Sequence, residues 1–143
     1  MVGWSAYGRH APQALLGPLQ IYQLHRVDDG QIVGFLIGFV SQTLPDQAYI
    51  HFLGVHPARR REELGRLLYE HFFAAAASHG CRTAQCVTAP VNRNSIAFHR
   101  RLGFSLLDSD DKVDGVRVAV GYDGEGEDRV ILTKDLDTLD TVR

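Results

Sequence analysis

Three features of the sequence predict an α/β fold with a mixed, mostly antiparallel sheet flanked by helices. Three apolar, alternating segments follow one another across short turns, which reads as an antiparallel meander. A long amphipathic segment comes next and leads to a fourth strand. A helical crossover of that kind sets the fourth strand parallel to the third. A short helix and further strands close the chain. One domain spanning 1–143 is expected from 143 residues, a length that suffices to bury a proper core.

Residues 1–20 hold Pro12, Pro18 and three glycines, so regular structure is weak there. The expected element is a short helix over Pro12–Leu16, ended by Gly17-Pro18. Trp4 and Tyr7 are read as anchors that pack this arm on the body. Ile21–Val27 is the first strand, and Asp28-Asp29-Gly30 is a hairpin turn signal. Gln31–Val40 is a strongly apolar strand in which Gly34 and Gly38 mark bends or close approaches. A turn around Pro45 leads to the third strand, Ala48–Val55.

The main helix is expected over Arg60–Ser78. Leu64, Leu67, Leu68, Phe72 and Ala75 recur at helical spacing and define its buried face, and Gly80 is the stop. Arg82–Thr88 is the fourth strand. Ser95–Leu102 is the short helix, stopped by Gly103. Phe104–Leu107, Val116–Val120 and Arg129–Lys134 are the remaining strands. Between them Asp108–Asp128 is acidic and glycine-containing. It is read as a solvated hairpin, with attraction of a cationic amine as the alternative. The tail after Leu136 is expected to fray. Only 20 residues precede the first clear strand, which makes Ile21–Val27 an edge in need of cover. Met1–Leu19 is expected to fold over it, or a second copy of the chain to do so as a homodimer.

A net charge of −2 argues against bulk attraction to nucleic acid or an acidic membrane. Cys81 and Cys86 lie in one short segment, where a mutual disulfide is awkward. They read as reduced thiols of a cytoplasmic protein. No apolar run has membrane-spanning length, and the N-terminus lacks a signal-peptide core. His10, His25, His56, His71 and His79 show no metal-ligand spacing, so no metal is expected.

Chemistry concentrates where the main helix begins. Arg59, Arg60 and Arg61 stack positive charge on a helix end that already carries unpaired N–H groups and a partial positive charge. Either this is a solvated helix start with local pairs to Glu62 and Glu63, or it is a phosphate-binding corner. By strand periodicity Tyr49, His51, Leu53 and Val55 share one face.

Two motifs resemble the GNAT acetyltransferases. The first runs Val55, Pro57, Arg60, Glu63, Gly65, matching Arg-x-x-Gly-x-Gly with Glu63 in place of the first glycine. The second runs Asn92, Ser95, Phe98, His99, Gly103, Phe104, with His99 in place of the family's tyrosine. The resemblance covers roughly Val27 to Leu136. It implies a GNAT fold and acetyl-CoA as cosubstrate, with direct transfer to a primary amine of a small molecule or peptide. It implies that Leu53 and Val55 offer backbone hydrogen bonds to pantetheine. Arg60, Arg61, Leu64, Gly65 and Arg66 would cradle the pyrophosphate, and Asn92 and Ser95 would line the pantetheine arm. The residue at 99 would face the thioester sulfur. His99 is then the expected donor to the leaving thiolate, and His51 the acceptor of the amine proton. The alternative is a GNAT-like domain that binds acyl-CoA without efficient transfer, a reading that Glu63 and the missing tyrosine motivate.

Overall fold

The computed structural model describes residues 21–137. The arm that precedes them, with Trp4, Tyr7 and the expected helix at Pro12–Leu16, lies outside the described residues. So do the tail after Asp137 and the side chains of residues 21–25, Arg61 and Glu62. Among the described residues the architecture is the predicted one: a mixed, mostly antiparallel sheet of six strands flanked by two α-helices. The chain divides into two compact units, Met1–Ala84 with Leu136–Arg143, and Gln85–Asp135.

In the first unit β1 (Ile21–Asp28), β2 (Gln31–Val40) and β3 (Gln47–Val55) form the meander. The turn between β1 and β2 puts Asp29 at φ 51° and Gly30 at φ 74°. This is the left-handed pair whose twist suits a two-residue hairpin. The middle of β2, Val33 to Gly38, is buried throughout, as a central strand covered on both faces should be. Gly38 is a close approach: a Cβ there would overlap the Phe72 ring and stand 2.9 Å from the Tyr49 carbonyl oxygen.

The main helix does not start at Arg60. Pro57–Glu62 is a 3-10 helix, and Glu63 breaks it with φ 58°, ψ 25°. Helix α1 (Leu64–Ser78) begins only after that left-handed residue. Its buried stripe is Leu64, Gly65, Leu68, Tyr69, Phe72, Phe73 and Ala76. Leu67 is 43% exposed, contrary to the expected face, because the packed Tyr69–Phe73 ring pair (centroids 5.5 Å apart) turns the aromatic flank inward. Gly80, at φ 85°, ends the helix. Its N–H bonds the Ala77 carbonyl at 3.0 Å and the Cys81 N–H bonds Ala76 at 3.0 Å, a Schellman closure.

Strand β4 (Thr83–Thr88) leads into the second unit. There α2 (Arg93–Arg101) is followed by β5 (Ser105–Leu106), the hairpin β6 (Lys112–Val113) and β7 (Val116–Arg117), and β8 (Val130–Asp135), which pairs antiparallel with β5. The strand expected over Val116–Val120 shortens because the segment changes partner. Val118 N–H bonds the Asp111 carbonyl at 3.0 Å, and Ala119 bridges to Arg129. Arg129 takes up two acids of the intervening segment, Asp123 at 2.7 Å and Glu127 at 3.0 Å. Cys81 and Cys86 are buried and form no disulfide. No described helix is long and apolar enough to cross a membrane.

Candidate active site

In the first unit the candidate residues converge on the start of α1. Leu53 and Val55 are both 5% exposed and sit opposite Leu36 and Gly34 on β2. Val55 belongs to an apolar cluster with Val33 and Leu64. Their side chains are committed to the core, so these residues can serve a ligand through the backbone alone. His51 does not share their face. The register runs from Ile37↔Phe52 to Gly38↔Ile50, so His51 is the extra residue of a β-bulge. A bulge inverts the alternation beyond it. Accordingly Ala48 and Ile50 are buried before it and Leu53 and Val55 after it, while His51 is exposed. Its ring lies against that of Phe52, centroids 4.0 Å apart and planes tilted by 54°.

The N-terminus of α1 fits an anion. The first amides of a helix have no intrahelical carbonyl to bond, and the first turn closes with Leu67 N–H on the Glu63 carbonyl at 3.1 Å. Glu63 makes no side-chain cap, and the first turn carries no acid. The Glu63 side chain is 72% exposed and its carboxylate lies 4.0 Å from Arg66. It therefore leaves the helix mouth and meets a cation. Arg66 also pairs with Glu70 at 3.1 Å. The three arginines differ in their surroundings. Arg59 is tied at 2.5 Å to Asp28 in the first hairpin, and Arg60 is exposed. The Arg61 side chain is outside the described residues. Gly65 is buried in the first turn, where a side chain would compete with whatever docks against the backbone. Pyrophosphate-bearing groups such as that of coenzyme A suit this donor set.

In the second unit Asn92 is the N-cap of α2, its Oδ1 accepting from the Ser95 N–H at 3.2 Å. That bond sets the helix start and leaves the Asn92 amide NH₂ as its remaining donor group. Ser95 is 7% and His99 8% exposed, one turn apart. The His99 ring stands edge-on to Phe98 and Phe104, both at 5.3 Å. Gly103, at φ 94°, closes α2 as Gly80 closes α1. Phe104 N–H bonds the His99 carbonyl at 3.0 Å, so backbone and ring of His99 are held by the same neighbour.

His99 Nδ1 lies 2.7 Å from the Ser95 carbonyl oxygen and 3.3 Å from Ser95 Oγ. A carbonyl only accepts, so Nδ1 carries the proton and Nε2 is the lone-pair nitrogen of the neutral ring. Burial holds this imidazole below its ordinary value, an effect that the bond to Ser95 partly offsets. A buried neutral imidazole fixed in this tautomer accepts a proton at Nε2 and gives one there only after taking one up. The thiol of Cys81 is pushed up, by burial first and by the Asp46 charge second, which does not suit a nucleophile.

Sequence reasoning missed the bulge at His51, the left-handed Glu63 and the His99–Ser95 carbonyl bond. The last had a signal, since positions 95 and 99 are one helical turn apart.

Comparison with known proteins agrees with this architecture. An L-2,4-diaminobutyric acid acetyltransferase from Nocardia farcinica is 32% identical over 82 residues, 54% of this chain, and the match spans 42% of that relative's length. The fold is similar to that of the ribosomal-protein-S18-alanine N-acetyltransferase from Escherichia coli (TM-score 0.64, 24% identity, 82% of this chain and 70% of that one). It is also similar to an aminoglycoside 6'-N-acetyltransferase solved with coenzyme A (TM-score 0.64, 16% identity, 84% and 74%). The model of the acetyltransferase (GNAT) family matches residues 4–104. With most of the chain inside that match, and with the expected sheet and both motif helices in place, the protein belongs to the GNAT acetyltransferase family.

Proposed function

We propose that this protein transfers an acetyl group from acetyl-CoA to a primary amine of a small molecule or peptide, directly, in a ternary complex. The observation that carries this reading is the buried His99, held on the Asn92-capped helix with its Nδ1 proton committed to the Ser95 carbonyl. When bound, acetyl-CoA supplies a thioester whose carbonyl carbon accepts the amine. In the first unit Leu53 and Val55 present backbone groups, and the amides of Leu64, Gly65 and Arg66 with Arg60 hold phosphate. In the second unit Asn92 and Ser95 support the arm.

His99 Nε2 takes the proton that the attacking nitrogen must shed as the C–N bond forms. The resulting imidazolium, disfavoured by burial, returns a proton to the departing sulfur as the C–S bond breaks. One histidine then serves in both directions, in place of a division of labour between His99 and His51. His51, exposed in its bulge, is the weaker candidate for the base. The outward path of Glu63 removes one reason for the alternative of acyl-CoA binding without transfer.

The test is a radiolabel transfer assay over an amine panel that starts with 2,4-diaminobutyrate, the amine named for the Nocardia relative. His99→Phe is expected to keep coenzyme A binding and to lose about 10²–10⁴-fold in kcat. Wild-type turnover by this variant, with chemistry shown to be rate-limiting, overturns the assignment. Absence of transfer by the wild-type chain to every amine, with coenzyme A still bound, leaves the binding-only alternative standing.

A further inference from the structure

A groove of about 650 Å³ lies within the second unit, between α2 and the β6–β7 hairpin. On the helix side Arg93, Ile96, Ala97 and Arg100 line it, spaced three and four residues apart on one face. Ser95 and His99 fall about a third of a turn away around the same helix. The groove is therefore separate from the face that carries the proposed chemistry. Across from α2, Lys112 and Arg117 line it from the hairpin, and Phe104 and Leu106 are part of its apolar lining.

The hairpin that forms this wall is well fixed. Asp114 and Gly115, at φ 50° and 79°, make its two-residue turn, the conformation that matches strand twist. Ser109 Oγ donates to the Val118 carbonyl at 2.6 Å and braces its base. Arg93 reaches across and donates to the Asp114 carbonyl at 3.3 Å.

Four cations line the groove and no carboxylate does. Arg117 is paired with Asp108. The side chains of Arg100 and Lys112 have no hydrogen bond or ion pair among the described residues. Gathering cations around one concavity is unfavourable unless an anion offsets them. Guanidinium groups match the paired oxygens of phosphate. The apolar lining offers a surface to a ring or chain, and the volume falls in the range of small-molecule sites.

We infer that this groove binds a phosphate-bearing organic anion of roughly nucleotide size, at a site distinct from the acetyl-transfer machinery. The inference does not depend on the function proposed above. It is tested by calorimetric titration of the full chain with ATP, pyrophosphate and adenosine, each with and without saturating coenzyme A. The expected result is ATP binding at submillimolar concentration that persists with coenzyme A and weakens as salt screens the charges. Pyrophosphate should bind more weakly and adenosine not at all. The double variant Arg100→Gln/Lys112→Gln should lose about tenfold or more in ATP affinity, with an unchanged melting temperature and unchanged coenzyme A affinity. Three results overturn the proposal: no heat from ATP at several millimolar with the wild-type chain, equal affinity in the double variant, or ATP binding abolished by coenzyme A. The last would place ATP in the coenzyme site.

Discussion

At position 63 a single backbone angle explains a departure from the family pattern. Glu63 stands where the motif has its first glycine, and it holds φ 58° between the 3-10 helix and α1. Glycine takes that conformation without penalty, whereas a Cβ costs about 1–2 kcal/mol. Part of that gain is returned through the freer unfolded chain of a glycine variant, about 0.4–1 kcal/mol. The exposed contact with Arg66 contributes little. Glu63→Gly should therefore raise stability by about 0.5–1 kcal/mol in urea denaturation. Glu63→Ala, which removes the charge but keeps the Cβ, should bring no such gain. A lower denaturation midpoint for the glycine variant would show that the left-handed Glu63 carries no strain. None of this was legible from the residue itself, since a glutamate is an uncommon occupant of left-handed backbone. The motif spacing marked the position, and the dihedral supplies the reason.

The β2 strand was legible to its last residue because its apolar run is bounded by Gly30 and by the turn around Pro45. Helix α2 was legible within two residues of its start, since Asn92 caps it and Gly103 ends it. The start of α1 was misplaced because the arginine run continues a helical pattern across the 3-10 turn, and periodicity has no term for a left-handed break. The shared face of Tyr49, His51, Leu53 and Val55 failed for a related reason: one extra residue in a ladder leaves no mark in composition. Gly38, read from the sequence as a bend or a close approach, is a close approach. The Phe72 ring, fully buried, fills the space over its Cα. Gly38→Val should force that ring and the neighbouring β3 backbone aside, at about 1–3 kcal/mol. A combined Gly38→Ala/Phe72→Leu variant should recover part of the loss, because the smaller side chain yields the room. An undisturbed denaturation midpoint for Gly38→Val would mean that β2 and α1 separate at little cost.

At the scale of the whole chain, two buried groups set opposite limits on stability with pH. His99 in the second unit has its pKa lowered from the ordinary 6.5, by burial above all. As pH falls below that value the unfolded chain binds a proton that the folded chain still refuses. The unfolded state then holds more protons, and stability falls with pH until the folded imidazole also titrates. Cys81 in the first unit has its pKa raised from the ordinary 9.0, by burial and then by Asp46. Above that value the unfolded thiol ionises while the folded one keeps its proton, so stability falls as pH rises. The two effects predict a plateau between roughly 6.5 and 9, with each flank sloping by at most about 1.4 kcal/mol per pH unit from its one group. Urea midpoints measured across pH would show it, and single variants separate the flanks. His99→Phe should flatten the acid flank and leave the alkaline one, and Cys81→Ala should do the reverse. Slopes are the quantity to compare, because Cys81→Ala also opens a small cavity that lowers the whole curve uniformly. An acid flank of the same slope in His99→Phe would mean that the imidazole is protonated as readily in the folded chain as in the unfolded one. Its role as a neutral, buried proton acceptor would then fall with it.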